Sequence, residues 1–207
     1  HEAMHAMAQD TDKNELVTIS QDQQQVWVKN FNPFLSAGSV RWPTHWGIHE
    51  PLLIFNALTG ETVPWLAESW SWSDDALSLT FKIRTGVKFQ DGSILTADDV
   101  AASWNKIVFP PAGVVSPRQS NFAMVDKIEA TDPTTIVFHL KYATDAFIPA
   151  LADPYAWIYS KAKLAKDIHW YEHNIDGTGP FHFVSYQTGQ EIIGTRNPDY
   201  YHKGLPY

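Results

Sequence analysis

Cysteine does not occur in the 207 residues. Its absence removes thiolate zinc sites, iron–sulfur clusters, thiol nucleophiles and disulfides together. A lipid-modified N-terminal Cys is excluded within the chain as given, while the redox compartment stays open. Long hydrophobic runs are missing as well. No stretch approaches the ~18–20 apolar residues of a membrane-spanning helix, so no membrane insertion is expected. Positive charge is scarce: 15 Lys and Arg stand against 23 Asp and Glu, for a formal net charge of −8. With no Lys/Arg-rich run to track a phosphate backbone, no nucleic acid partner is expected. The nucleophile elbow G-x-S-x-G, the Walker loop and G-x-G-x-x-G are all absent, which withdraws the commonest signals for hydrolase and nucleotide chemistry.

What the chain does have is apolar and aromatic mass. Hydrophobic residues make up 44%, with nine Trp, eight Tyr and eleven Phe. A chain of this length can bury roughly 70% of the surface it exposes when unfolded, enough for one large domain or two small ones. The first fourteen residues are polar and read as a disordered N-terminal tail. Within them Ala6-Met7-Ala8 has the small-x-small form that precedes signal-peptide cleavage, which would start the mature chain near Gln9. Small residues are also common at termini.

Beyond the tail, Leu16 to Ser20 reads as a strand. The clearest strand is Leu77 to Arg84, where Leu77, Leu79, Phe81 and Ile83 alternate with Ser78, Thr80, Lys82 and Arg84. Period-two alternation marks a sheet with one buried face. Thr85-Gly86 and Asp91-Gly92 are turn signals. Thr96 then offers a helix cap with Asp99 three residues on, the spacing of a capping box. Val100, Trp104 and Ile107 share one face of that helix, and Pro110-Pro111 ends it. A strand pair is expected over Val125–Ala130 and Thr134–Lys141, with Ile136, Phe138 and Leu140 inward. Helical stretches follow near Asp145–Ala152 and Lys161–Lys166. Gly177-Thr178-Gly179-Pro180 turns into a strand over Phe181–Tyr186, and Gly194-Thr195-Arg196-Asn197-Pro198 and a Tyr pair close the chain. Strands with interspersed helices and no βαβα rhythm indicate a mixed α/β fold rather than a Rossmann sheet.

Three His pairs have i, i+4 spacing, an excess over chance. His1-Glu2-Ala3-Met4-His5 matches the zinc-peptidase pattern H-E-x-x-H, in which two His bind zinc and Glu acts as base. Lying at the very start without a third ligand, it reads as accidental or as a processing remnant. His45/His49 and His169/His173 read as ordinary surface or satisfied histidines, the second pair in a surface helical turn or loop. No metal and no cofactor are expected. The acid pairs Asp74/Asp75 and Asp98/Asp99 suit a turn and a helix start rather than a catalytic dyad. Nothing here argues for an enzyme.

The aromatic surplus is the remaining signal. Trp42, Trp46, Trp65, Trp70, Trp72 and Trp104 crowd into one stretch. Trp104 lies on the apolar helix face, and Trp70 and Trp72 belong to an alternating segment, which places them in the core. Trp42 and Trp46 sit in an irregular stretch with Pro43 and Gly47. Aromatics on such loops either pack or line a ligand cleft.

Several segments in order carry a wider pattern: Pro64-Trp65-Leu66-Ala67-Glu68-Ser69-Trp70, Leu79 to Phe89, Asp91-Gly92 and Thr96-Ala97-Asp98-Asp99-Val100. Glu50-Pro51-Leu52-Leu53 precedes them; Gly177 to Phe181 and Arg196-Asn197-Pro198-Asp199-Tyr200-Tyr201 follow. This series resembles the family 5 extracellular solute-binding proteins, the oligopeptide- and dipeptide-type receptors of ABC importers, over about residues 15 to 207. The resemblance implies a type II periplasmic-binding-protein-like fold. It implies a partial first lobe formed discontinuously by residues 15–49 and 177–207, an inserted domain at 50–176, and a second lobe that is absent. The implied function is capture of an oligopeptide or oligosaccharide for delivery to ABC permease subunits, by a monomer in the periplasm or outside the cell. By position the ligand-contacting loop falls on Ala37, Gly38, Ser39 and Val40, followed by Arg41 and Trp42, with Trp46 beside it. That amounts to half a site. A zinc hydrolase built on His1, Glu2 and His5, and a stand-alone interaction domain, are the rival readings.

Overall fold

A computed structural model describes residues 47–153, 156–187 and 191–204. The chain enters through an antiparallel hairpin of β1 (Leu53–Asn56) and β2 (Glu61–Pro64). Its turn is built by Asn56, whose side-chain oxygen accepts from the Leu58 N–H at 3.0 Å. Gly60, at φ +73°, supplies the left-handed residue that closes the turn.

The central element is a four-stranded antiparallel sheet in the order β3-β4-β6-β5. Its strands are β3 (Ala67–Trp72), β4 (Ser78–Ile83), β5 (Val125–Asp132) and β6 (Thr135–Leu140). The alternation read in the sequence is realised: Leu79 lies opposite Phe138 and Phe81 opposite Ile136, and all four are fully buried. Trp70 and Trp72 share that face but sit on the edge strand. Trp70 is half-buried and Trp72 is 36% exposed, so the edge leaves incomplete the core position expected of both. Trp72 contacts Phe147 with ring centroids 6.2 Å apart.

Helix α1 (Ala97–Val108) covers the buried face, mainly over β5. The capping acid works as its spacing predicts: the Asp99 carboxylate accepts from the Thr96 N–H at 2.9 Å. Val100, Trp104 and Ile107 are buried together. The Trp104 ring meets Phe122 and Phe138 edge-on at 5.2 and 5.9 Å. Burial of each such large side chain is worth roughly 1.5–3 kcal/mol, so this triad anchors the helix to the sheet. Helix α1 stops two residues before Pro110, as the Pro pair requires.

Short helices follow: α2 (Phe147–Leu151), α3 (Lys161–Lys166) and α4 (Trp170–His173). The start of α3 is tied to that of α1, because Asp99 also accepts from the Lys161 N–H at 2.8 Å. Beneath these helices Trp157, Tyr159, Leu164 and Tyr171 make a second core. A third gathers Ile48 and Ile175 against the hairpin of β7 (Phe181–Gln187) and β8 (Glu191–Arg196).

Two hairpins depart from the sequence reading. β1 and β2 are too short to show a period. Gly194 to Arg196, given no element in the sequence reading, lies inside β8, and the strand ends before Asn197-Pro198. Gly194 fits there because a Cβ would sit 3.1 Å from the His182 carbonyl oxygen of the paired strand.

Candidate functional site

The residues expected to touch ligand, Ala37, Gly38, Ser39, Val40, Arg41, Trp42 and Trp46, lie outside the described residues. So do the His1-Glu2-x-x-His5 motif, the strand expected at Leu16–Ser20, and His45. What the described residues do form is the junction where the chain following that segment crosses two later passes.

Residues 47–50 run between 156–158 on one side and 177–181 on the other. The Gly179 and Phe181 N–H groups donate to the carbonyls of Ile48 and Gly47, both at 2.9 Å, and the Ile158 N–H donates to the Glu50 carbonyl at 3.0 Å. Asn197 joins them, its side-chain amide donating to the Gly179 carbonyl at 2.9 Å. Gly177 and Gly179 are read from sequence as turn residues. Their actual requirement is close approach: a Cβ on Gly177 would fall 1.8 Å from the Ile48 carbonyl oxygen, and one on Gly179 2.7 Å from that of Gly47.

Successive residues of an extended segment point to opposite sides, and here the two sides differ in chemistry. His49 enters an aromatic box. Its ring stacks on Trp157 at 4.6 Å and meets the edges of Tyr159 and Tyr171 at 5.8 and 6.0 Å. Burial drives its pKa down to about 3, so the imidazole is neutral. The expectation of a surface or satisfied histidine is therefore corrected: His49 is 1% exposed, and its Nδ1 has no hydrogen-bond partner among the described residues.

Glu50 points the other way, into a cradle of four donors. Thr178 Oγ1 donates to one carboxylate oxygen at 2.7 Å. Trp65 Nε1, Tyr200 OH and Tyr201 OH donate to the other at 2.6, 2.8 and 2.9 Å. Burial pushes the Glu50 pKa upward, and the four hydrogen bonds oppose that shift. Burial and the nearby Glu50 charge also raise both tyrosines, which stay neutral donors. One side chain thereby ties together segments far apart in the sequence.

Two further ties hold β7. The Gln90 side-chain amide donates to the Phe183 carbonyl at 2.7 Å, while its oxygen accepts from the Phe183 N–H at 2.9 Å, standing in for a neighbouring strand. Lys163 pairs with the buried Asp176 and, at 3.0 Å, with Asp91. Asp176 nonetheless has a raised pKa, because burial outweighs the pull of Lys163. The Asp91-Gly92 turn expected from sequence is present, with Gly92 at φ +87°.

His169 and His173 do bracket a helical turn, but its Tyr171 is buried beneath Ser160, whose N–H it accepts at 2.9 Å. His169 Nδ1 bonds Glu172 at 2.8 Å. Among the described residues no three His, Cys, Asp or Glu side chains gather to hold a metal ion. Asp75 and Asp98/Asp99 take the turn and helix-start positions read for them; Asp75 accepts from Ser73 Oγ and the Leu77 N–H. Glu50 stands out in the sequence only as part of the Glu50-Pro51-Leu52-Leu53 motif and Gln90 in no motif at all, so the role of neither was read. Their partners are up to 151 residues away, so no local signal could expose them.

Comparison with known proteins adds the following. Residues 61–207 match the family described as bacterial extracellular solute-binding proteins, family 5 Middle. The glutathione-binding protein GsiB of Escherichia coli K12 is 35% identical over 144 residues, covering 68% of this chain and 27% of that protein. Among solved structures, the periplasmic binding protein AgaA of Agrobacterium tumefaciens R10, in complex with agropinic acid, aligns with a TM-score of 0.75 at 31% identity, over 84% of this chain and 35% of that one. The periplasmic binding protein DppA of Helicobacter pylori, in complex with the peptide STSA, aligns at 0.71 and 26% identity, over 83% and 38%. The chain thus spans about a quarter of the length of the curated relatives it matches. Its architecture is that of part of a type II periplasmic binding protein.

Proposed function

Since the chain belongs to the bacterial extracellular solute-binding proteins of family 5, we propose that it forms part of the receptor of an ABC importer and that its solute is peptide-like. The carrying observation is the chemistry of the similar proteins: glutathione, a short peptide and agropinic acid are the ligands in their names. Between the oligopeptide and oligosaccharide readings left open by the residues, the glutathione- and peptide-binding relatives favour the peptide class. An extended peptide is held mainly through backbone hydrogen bonds with roomy side-chain pockets.

In this reading residues 15–49 and 177–207 belong to the first lobe and 50–176 to the domain inserted in it. The surface that closes on the solute by hinge motion comes from a second lobe outside these residues. Ala37 to Trp42 and Trp46 supply one wall of the cleft. The Glu50 cradle and the Gly177–Gly179 contact hold residues 47–50, which follow that wall in the chain. The receptor works in the periplasm or outside the cell, as a monomer that hands solute to permease subunits and performs no chemistry on it. Among the described residues no helix is long and apolar enough to cross a membrane.

The test is a Trp-fluorescence titration of the polypeptide encoded by the gene, and of the 207-residue chain, with glutathione and tri- to pentapeptides and separately with oligosaccharides. Saturable change with the peptide panel alone is the expected result. Saturation with sugars alone would overturn the ligand class. Silence of the gene-encoded polypeptide toward both panels would overturn the receptor reading.

A further inference from the structure

The outer face of the four-stranded sheet, opposite α1, presents a hydrogen-bonded line of three residues that the receptor reading does not use. Ser78 on β4 lies directly opposite His139 on β6, and His139 opposite Lys127 on β5. Ser78 Oγ is 3.3 Å from His139 Nδ1, and His139 Nε2 is 2.9 Å from a carboxylate oxygen of Glu129, one strand further. We propose that Ser78, with His139 as base and Glu129 as its orienting acid, is a nucleophilic serine that accepts acyl groups from activated esters.

The imidazole tautomer decides the chemistry. An ionised Glu129 only accepts hydrogen bonds, so the imidazole proton resides on Nε2. Nδ1 is left with its lone pair toward Ser78, able to take the hydroxyl proton. A nucleophile within reach of a base that a third group orients is the arrangement that activates serine. Lys127 pairs with Glu129 and holds its carboxylate ionised, lowering its pKa together with the His139 contact. Access is open: the His139 and Glu129 side chains are each 35% exposed, and Ser69, Ser71 and Lys82 on the same face are exposed too.

In the step itself, Ser78 Oγ attacks the carbonyl carbon while its proton passes to His139 Nδ1. The tetrahedral adduct then expels the alcohol or phenol, which leaves with that proton, and Ser78 remains as an ester. The Ser78 N–H is already engaged, donating to Ser73 Oγ at 3.0 Å. The nearest backbone donor is thus withheld from an oxyanion, so acylation depends on the good leaving group of an activated ester; the alkyl ester left on Ser78 has a poor leaving group, and a stable adduct is expected rather than turnover. The site is a modification site, independent of solute binding.

The experiment treats the intact chain with p-nitrophenyl acetate and locates the acetyl group by tandem mass spectrometry. One acetyl per chain at Ser78 is expected, with none there in Ser78→Ala. The rate of modification should fall about a hundredfold or more in His139→Gln, the low end of what a positioned base contributes. Glu129→Gln should slow it less. Acetylation confined to lysines, or a Ser78 rate unchanged in His139→Gln, overturns the proposal.

Discussion

Acid should unfold this protein through His49, and the size of the effect can be worked from its surroundings. The ring is buried against Trp157, Tyr159 and Tyr171, and that burial is what lowers its pKa. Its pKa is about 3 when folded against 6.5 when unfolded. Below pH 6.5 the unfolded chain therefore binds the proton that the folded chain refuses, and stability is lost as pH falls. The loss grows by ~1.36 kcal/mol per pH unit until the folded pKa is reached, giving about 2.7 kcal/mol at pH ~4.5 and nearly 5 kcal/mol at the limit.

Glu50 acts with the opposite sign. Its folded pKa is raised, so the folded state takes up that proton first as pH falls, and stability is gained through that window. A His49→Phe variant separates the two. Phe keeps an aromatic ring against Trp157 and removes both the titrating group and the unpartnered Nδ1, while Glu50 titrates alike in both proteins. Urea unfolding followed by Trp fluorescence at pH ~7 and pH ~4.5 should show the unaltered chain losing about 2.7 kcal/mol more than the variant. Near neutrality the variant should be at least as stable, since a buried unsatisfied polar atom has gone. Equal acid losses in the two proteins would refute the assignment of a buried, neutral His49.

Two more outcomes follow from the junction. Glu50→Gln can keep its oxygen toward Trp65, Tyr200 and Tyr201 and turn its amide to Thr178 Oγ1, so it should cost no more than about 1–2 kcal/mol, whereas Glu50→Ala strands four donors and should cost roughly 4 kcal/mol or more in urea unfolding. Gln90→Ala removes both bonds that clamp Phe183; amide exchange should accelerate in β7 while the four-stranded sheet stays protected, and uniform acceleration would count against a local clamp.

The parts of the fold readable in advance share one property: their cause lies within a few residues. Leu79, Phe81 and Ile83 declare β4 by alternation, Ile136 and Phe138 declare β6, and Thr96 with Asp99 declares the start of α1. Hydrophobic period and capping chemistry act over one or two turns of chain, and the sequence carries them openly. The ordered motifs likewise sufficed for the family, because they record the framework as a set.

Tertiary structure decided the rest. Whether Trp72 is core or edge depends on which strand ends the sheet. Gly177 looks like a turn residue until Ile48 is brought against it, and the need for glycine comes from that approach alone. Glu50 and His49 are neighbours in an apparently plain stretch, yet one receives four hydrogen bonds and the other none at Nδ1. No local pattern encodes that difference, since the donors Thr178, Tyr200 and Tyr201 arrive only when distant passes of the chain meet. The sequence by itself thus determined the helices, the strands with a clear period and the family. Folding determined which polar side chains lose their water, and with it which of them hold the structure together.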